Sequence, residues 1–136
     1  AEYYLSIFKN GELKSCKAYK NQEGPSGDFD TATIHLLGMD FQILAAGPLF
    51  KFNEAVSFVV SCKDQAEVDY YWEALTADGG SEGPCGWLKD KYGLSWQIVP
   101  EQYFQLESDN DKAKQEYAFK AVMKMKKIII ADLEEK

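Results

Sequence analysis

The chain has 136 residues, 46% of them hydrophobic and 14% aromatic, and a formal net charge of −7. That length suits one domain, and a chain of this size buries about two-thirds of its unfolded surface. The acidic balance works against nucleic acid and anionic membrane as partners, because both would repel it.

Taken in chain order, the first residues have helical spacing: Tyr3, Tyr4, Ile7 and Phe8 share a face, and Asn10-Gly11 supplies a C-terminal stop. This helix opens without a capping residue, so a preceding segment is expected upstream of it. ELKSCKAYK reads as an edge strand with its lysines outward, and NQEGPSGDFD as a loop. TATIHLL and DFQILAAG form a hairpin around Gly38-Met39-Asp40. GPLFKFNE is a loop carrying Phe50 and Phe52. AVSFVVSC alternates and is β-branched, a strand. Asp64 then caps a helix through QAEVDYYWEAL, with Val68, Tyr71, Trp72 and Leu75 on one stripe.

Asp78-Gly79-Gly80 ends that helix. In GWLKDKYGLSWQIVP, two short strands flank the turn Asp90-Lys91-Tyr92-Gly93, and Leu94, Trp96 and Ile98 alternate with Ser95, Gln97 and Val99. Ser108 to Asp111 offers caps for a long helix, KAKQEYAFKAVMKMKK. KIIIADLEEK follows as a docked tail, too apolar to stand in water.

Cys16, Cys62 and Cys85 are odd in number and form no CxxC pair. This usage fits a reducing cytosol and buried thiols. No apolar run reaches the ~20 residues of a membrane span.

The order helix, glycine stop, strands and glycine hairpin occurs twice, with hairpin glycines at 38 and 93. A repeat fixes architecture. An α+β protein is predicted, with two βαβββ modules forming a cupped mixed sheet and helices outside. The first module lacks its leading strand. The expected division is 1–47 for the first module, 48–100 for the second and 101–136 for the C-terminal helix and tail, all in one domain.

FKFNEAVSFVVSC, VDYYWEAL, CGWLKDKYGLSWQIVP and MKMKKIIIADLE resemble, in that order, the PhnB-like family. That family belongs to the vicinal oxygen chelate superfamily, with the glyoxalase and bleomycin-resistance fold. Its members are often labelled 3-demethylubiquinone 3-methyltransferase-like. The resemblance implies paired βαβββ modules and a homodimer.

It also bears on Gln97. Metal-dependent relatives carry a glutamate ligand four places after the hairpin glycine, and counting from Gly93 reaches Gln97. A glutamine brings a carbonyl oxygen but no charge, so it holds a divalent ion more weakly. The histidine expected in such relatives falls on Ser57, and Phe41 to Ala45 supplies no acid. His35, the sole histidine, stands on a different strand. No intact metal site and no cofactor are therefore expected, and Gln97 alone occupies a metal-ligand position. Methyl transfer is rejected too. An adenosylmethionine fold needs a strand, a glycine-rich turn and then a helix, whereas DGGSEGPCG follows a helix and precedes a strand.

The resulting expectation is a cytoplasmic homodimer that binds a small, partly apolar molecule in its cup, as bleomycin-resistance relatives do. Gln97, Ser57, Ser95 and His35 line the cup, and Phe50, Phe52 and Trp87 rim it. The alternative is a metal-dependent isomerase, lyase or dioxygenase in which the ion stabilises an enolate-like state.

Overall fold

A computed structural model describes residues 1–136. The chain divides into two compact units, Ala1–Lys51 and Phe52–Lys136.

The first unit is a helix followed by a three-stranded antiparallel sheet: α1 (Glu2–Ile7), β1 (Glu12–Tyr19), β2 (Phe29–Leu36) and β3 (Met39–Ala45), ordered β1-β2-β3. The β2–β3 hairpin turns on Leu37 and Gly38, with φ of 49° and 81°. Two consecutive positive φ angles match the right-handed twist of the flanking strands. The register pairs Ile34 with Phe41 and His35 with Asp40, so the two faces of the sheet differ. One face carries Ile34 and Leu36, buried along with Ile7 and Phe8. The other carries Thr31, Thr33, His35, Gln42 and Leu44. Lys14 and Lys17 on β1 are exposed, as expected of an edge strand.

The second unit contains a full βαβββ order: β4 (Ser57–Cys62), α2 (Gln65–Thr76), β5 (Ser81–Glu82), β6 (Trp87–Lys89) and β7 (Ser95–Pro100). The sheet runs β4-β7-β6-β5, with β4 and β7 parallel and the other pairs antiparallel. Alternation sends Phe58, Val60, Cys62, Leu88, Trp96 and Ile98 to one face, and α2 packs on this sheet with Val68, Trp72 and Leu75 buried. The Asp64 side chain accepts from the Glu67 N–H at 2.9 Å, which fixes the start of α2. The Trp72 indole N–H donates to Glu82 Oε1 at 2.7 Å, tying the helix to β5.

The β6–β7 turn is organised by one buried carboxylate. Asp90 Oδ1 accepts from the backbone N–H groups of Tyr92 (2.9 Å) and Leu94 (3.1 Å), and Oδ2 accepts from the Trp96 indole at 3.0 Å. Asp90 is 2% exposed. Burial without these donors would be costly, so the turn and the tryptophan are specified together.

After β7 come α3 (Glu101–Glu107), α4 (Lys112–Val122) and a 3₁₀ turn at Ile130–Asp132. Sequence periodicity extends the last helix through Lys127; it stops at Val122. There the helix tightens and ends: the Lys124 and Met125 N–H groups donate to the Ala121 and Val122 carbonyls, three residues back, at 3.1 and 3.0 Å. Beyond that point the Met125 and Lys126 carbonyls accept from the Cys85 and Gly86 N–H groups at 2.8 Å. Gly86 is required there: its φ is 82°, and a Cβ would lie 2.9 Å from Ile128 Cδ1. Ile128 and Leu133 are buried in a cluster with Val99, Leu106, Ala118 and Val122, which is where the isoleucine-rich tail docks.

Two further expectations are corrected. α3, a short helix with no side-chain cap and only Leu106 buried, was not anticipated. The three thiols are not all buried: Cys62 is, Cys85 is half-buried and Cys16 is exposed on edge strand β1, which is exposed along nearly its whole length. No helix is long and apolar enough to cross a membrane.

Candidate functional site

β7 runs through the middle of the second sheet, so its outward side chains meet partners from both neighbours. On the face away from α2, Gln97 stands opposite Val59 of β4 and Trp87 of β6, while Ser95 stands opposite Ser57 and Lys89. The Gln97 amide Nε2–H donates to Ser57 Oγ at 3.0 Å. That bond answers why a strand so rich in core residues spends a position on an amide: a serine one strand over pairs with it.

The pairing is incomplete. Gln97 has two N–H donors and an acceptor oxygen, and the serine hydroxyl uses one donor. Directly below, the Ser95 hydroxyl is buried, 1% exposed, and has no hydrogen-bond partner. A buried hydroxyl left in that state costs about 1–3 kcal/mol. Lys89 Nζ pairs with Glu54 from the preceding loop, and the lysine hydrogen bond holds the Glu54 carboxyl below its ordinary range. Val59 is exposed and Trp87 half-buried on either side of Gln97, so the polar group is flanked by apolar side chains. At the Val99 end the same face is closed by α3, α4 and the tail.

Gln97, Ser57, Ser95 and Trp87 are thus brought together on one face, and Phe52 belongs to the same unit. His35 and Phe50 belong to the first unit. Phe50 is 88% exposed, in the loop after β3. His35 has its own arrangement: its Nδ1 lies 2.6 Å from Asp40 Oδ1, and Lys14 Nζ lies 3.1 Å from Asp40 Oδ2. Gln42 was passed over in the sequence. It stands four places after Gly38, as Gln97 does after Gly93, and faces the same side of its sheet as His35. The internal repeat was the signal that could have found it.

The donor set around Gln97 suits hydrogen bonding better than metal binding. Its oxygens are one amide and two hydroxyls, all neutral, and the nearby Glu54 is tied to Lys89. No three histidine, cysteine, aspartate or glutamate side chains stand close enough to hold an ion. The residues present do not fit the divalent ion that metal-dependent glyoxalase-fold proteins carry.

A βαβββ unit with its polar face on the sheet and its helix behind defines an α+β protein of the glyoxalase type. The family described as 3-demethylubiquinone-9 3-methyltransferase matches residues 1–99, and the chain belongs to that PhnB-like family. Among solved structures, it is similar to a putative 3-demethylubiquinone-9 3-methyltransferase, the PhnB protein of Bacillus cereus. The two are 29% identical, with a TM-score of 0.60, over 73% of this chain and 86% of that one. The protein PA1353 of Pseudomonas aeruginosa shares the fold, with 16% identity and a TM-score of 0.59 over 73% and 84% of the two chains. No curated protein matches the chain in sequence.

Proposed function

We propose that this PhnB-like protein binds a small, partly apolar molecule on the Gln97 face of its second sheet. The buried, unpartnered Ser95 hydroxyl carries the reading. Beside the half-spent amide of Gln97 and the Ser57 hydroxyl, it marks a place where a ligand's polar atom would complete the hydrogen bonding. Trp87 and Val59 supply apolar contact around it. A ligand with a carbonyl or amide group flanked by hydrocarbon fits this lining. Binding of this kind needs no resident metal, in keeping with the neutral donor set. Methyl transfer is not proposed: the glycine-rich segment Gly79–Gly86 runs from α2 to β5 and β6, not from a strand into a helix.

The test is a thermal-shift screen of small carbonyl and amide compounds, with elemental analysis of the same preparation. A hit that raises Tm in the wild type but not in Gln97→Ala supports the reading. A divalent ion retained at one per chain, or hits indifferent to Gln97→Ala, overturns it. In the same proposal the protein is a cytoplasmic homodimer. The exposed Phe50 and Phe52 offer apolar surface for a second copy, and three unpaired cysteines suit a reducing compartment. Sedimentation velocity at a mass of one chain would remove the dimer.

A further inference from the structure

The polar face of the first sheet has two unlike ends. At one end β1 carries a bulge between Leu13 and Ser15. A bulge re-aims a side chain, and this one lets Lys14 reach Asp40 Oδ2 at 3.1 Å while His35 Nδ1 holds Oδ1 at 2.6 Å. Both oxygens of Asp40 are thereby engaged, and these two bonds, the histidine's first, keep its carboxyl below the ordinary range. A carboxylate so fixed directs the Nδ1 proton and leaves Nε2 as the open nitrogen. No group in the structure bonds to Nε2.

At the other end of the face, the loop after β1 folds over Phe29 and Leu44 and leaves a cleft of about 260 Å³, lined also by Pro25 and Ala46 and, at its polar side, by Gln22 and Glu23. The Phe29 ring stacks on Tyr19 at 4.6 Å, and Leu44 is 61% exposed. His35 pairs with Asp40 across the hairpin, and Asp40 and Leu44 share one face of β3. Four residues of strand separate these two, about 13 Å. Thr33, Gln42 and Thr31 lie between the ends. Apolar cleft, polar track and imidazole therefore lie in line on one surface.

We propose that this surface is a second site, for a medium-chain carboxylic acid, with the hydrocarbon tail in the Phe29–Leu44 cleft and the acid group at His35 Nε2. The ligand docks as its carboxylate, and Nε2 takes one proton from water as it does so. The product is a carboxylate hydrogen-bonded to an imidazolium whose Nδ1–H stays on Asp40. Charge balances through that one proton, no bond to carbon changes, and the proton returns to water when the ligand leaves. Asp40 stabilises the imidazolium, and Lys14 holds Asp40 in place. The proposal concerns the first unit alone and stands or falls separately from the Gln97 site.

Decanoate is the probe. The protein has one histidine, so the imidazole Hε1 line in its proton NMR spectrum reports this site without assignment. Saturable movement of that line on adding decanoate is expected, with calorimetric affinity weakened about tenfold in His35→Gln, the size of one lost charge-assisted hydrogen bond. Leu44→Asp should weaken it at least as much by putting a charge in the cleft. 1-Decanol, with the same tail and no acid group, should bind the wild type as weakly as decanoate binds His35→Gln. An unmoved histidine line, or decanoate affinity unchanged in His35→Gln, overturns the proposal. Equal binding of decanol and decanoate overturns it too, since the cleft alone would then be responsible.

Discussion

The two units repeat one plan and finish it differently. Gln42 and Gln97 occupy the same step after a hairpin glycine, yet only Gln97 has a strand on either side of it. In the second unit β4 lies beside β7 and brings Ser57 to the amide. In the first, β3 is the last strand of its sheet, and Gln42 is exposed. Burial follows the same difference. Val60, Leu88, Trp96 and Ile98 are buried beneath α2, whereas β1 is exposed along nearly its whole length. A flanking strand does more than add hydrogen bonds: it turns a surface amide into a half-satisfied group inside a lined site.

The comparison breaks most readily at the buried core of the second unit. Trp96→Ala should cost about 3–5 kcal/mol, read from the urea midpoint, because it empties a filled position and removes the indole N–H from Asp90 Oδ2. An effect below about 1 kcal/mol would mean that the second sheet is not the stability core. Asp90→Ala comes next, at about 3 kcal/mol, since it orphans two backbone donors and an indole. Leucine replacements at exposed positions of the first sheet, such as Gln42→Leu, should by contrast stay within about 0.5 kcal/mol.

Ser95→Ala has the opposite sign. Removing an unpaired buried hydroxyl should stabilise the free protein by about 1 kcal/mol. It should also weaken any ligand that raises Tm in the wild type. A destabilised Ser95→Ala would show that the hydroxyl already has a partner in solution.

Thiol chemistry separates the units without a mutation. Burial, assisted by Glu67, Asp64 and Glu101 nearby, pushes the Cys62 thiol up to about 12. At pH 8 iodoacetamide should therefore alkylate exposed Cys16 first and leave Cys62 untouched until the protein unfolds. Peptide mapping of a partial reaction would read the order, and early labelling of Cys62 would contradict its burial.

The smallest effect is electrostatic. The hydrogen bonds from Lys127 and Gln65 lower the Asp69 carboxyl. A carboxyl lowered in the fold contributes stability that is present above its unfolded value and lost as pH falls through its folded value. The α2–Lys127 contact should thus weaken only in acid, below about pH 4, and should fade with added salt because Asp69 is exposed and Lys127 only half-buried. Asp69→Asn should remove this acid dependence and otherwise change stability little.

Much of this was legible in the sequence, for physical reasons that can be named. Period-2 alternation placed Trp96 and Ile98 on one face of β7 and Gln97 on the other. Asp64 announced the start of α2 and the segment Ser108 to Asp111 that of α4, where the Asp111 side chain accepts from the Ala113 N–H at 2.9 Å. The repeated order of helix, glycine and hairpin gave the two-unit plan, and the quoted motifs gave the family. These are local signals, or patterns that recur along the chain.

Tertiary structure decided the rest. The path of the chain beyond Val122 depends on backbone bonds to Cys85 and Gly86, nearly forty residues away in sequence. The partnership of Gln97 with Ser57 depends on the parallel register of β4 against β7. The buried isolation of Ser95 and the Lys14–Asp40–His35 chain depend on which side chains the sheets bring face to face. Sequence specifies what each residue can donate, accept or bury. Only the register of strands distant in sequence settles which of those capacities are met and which are left open for a ligand.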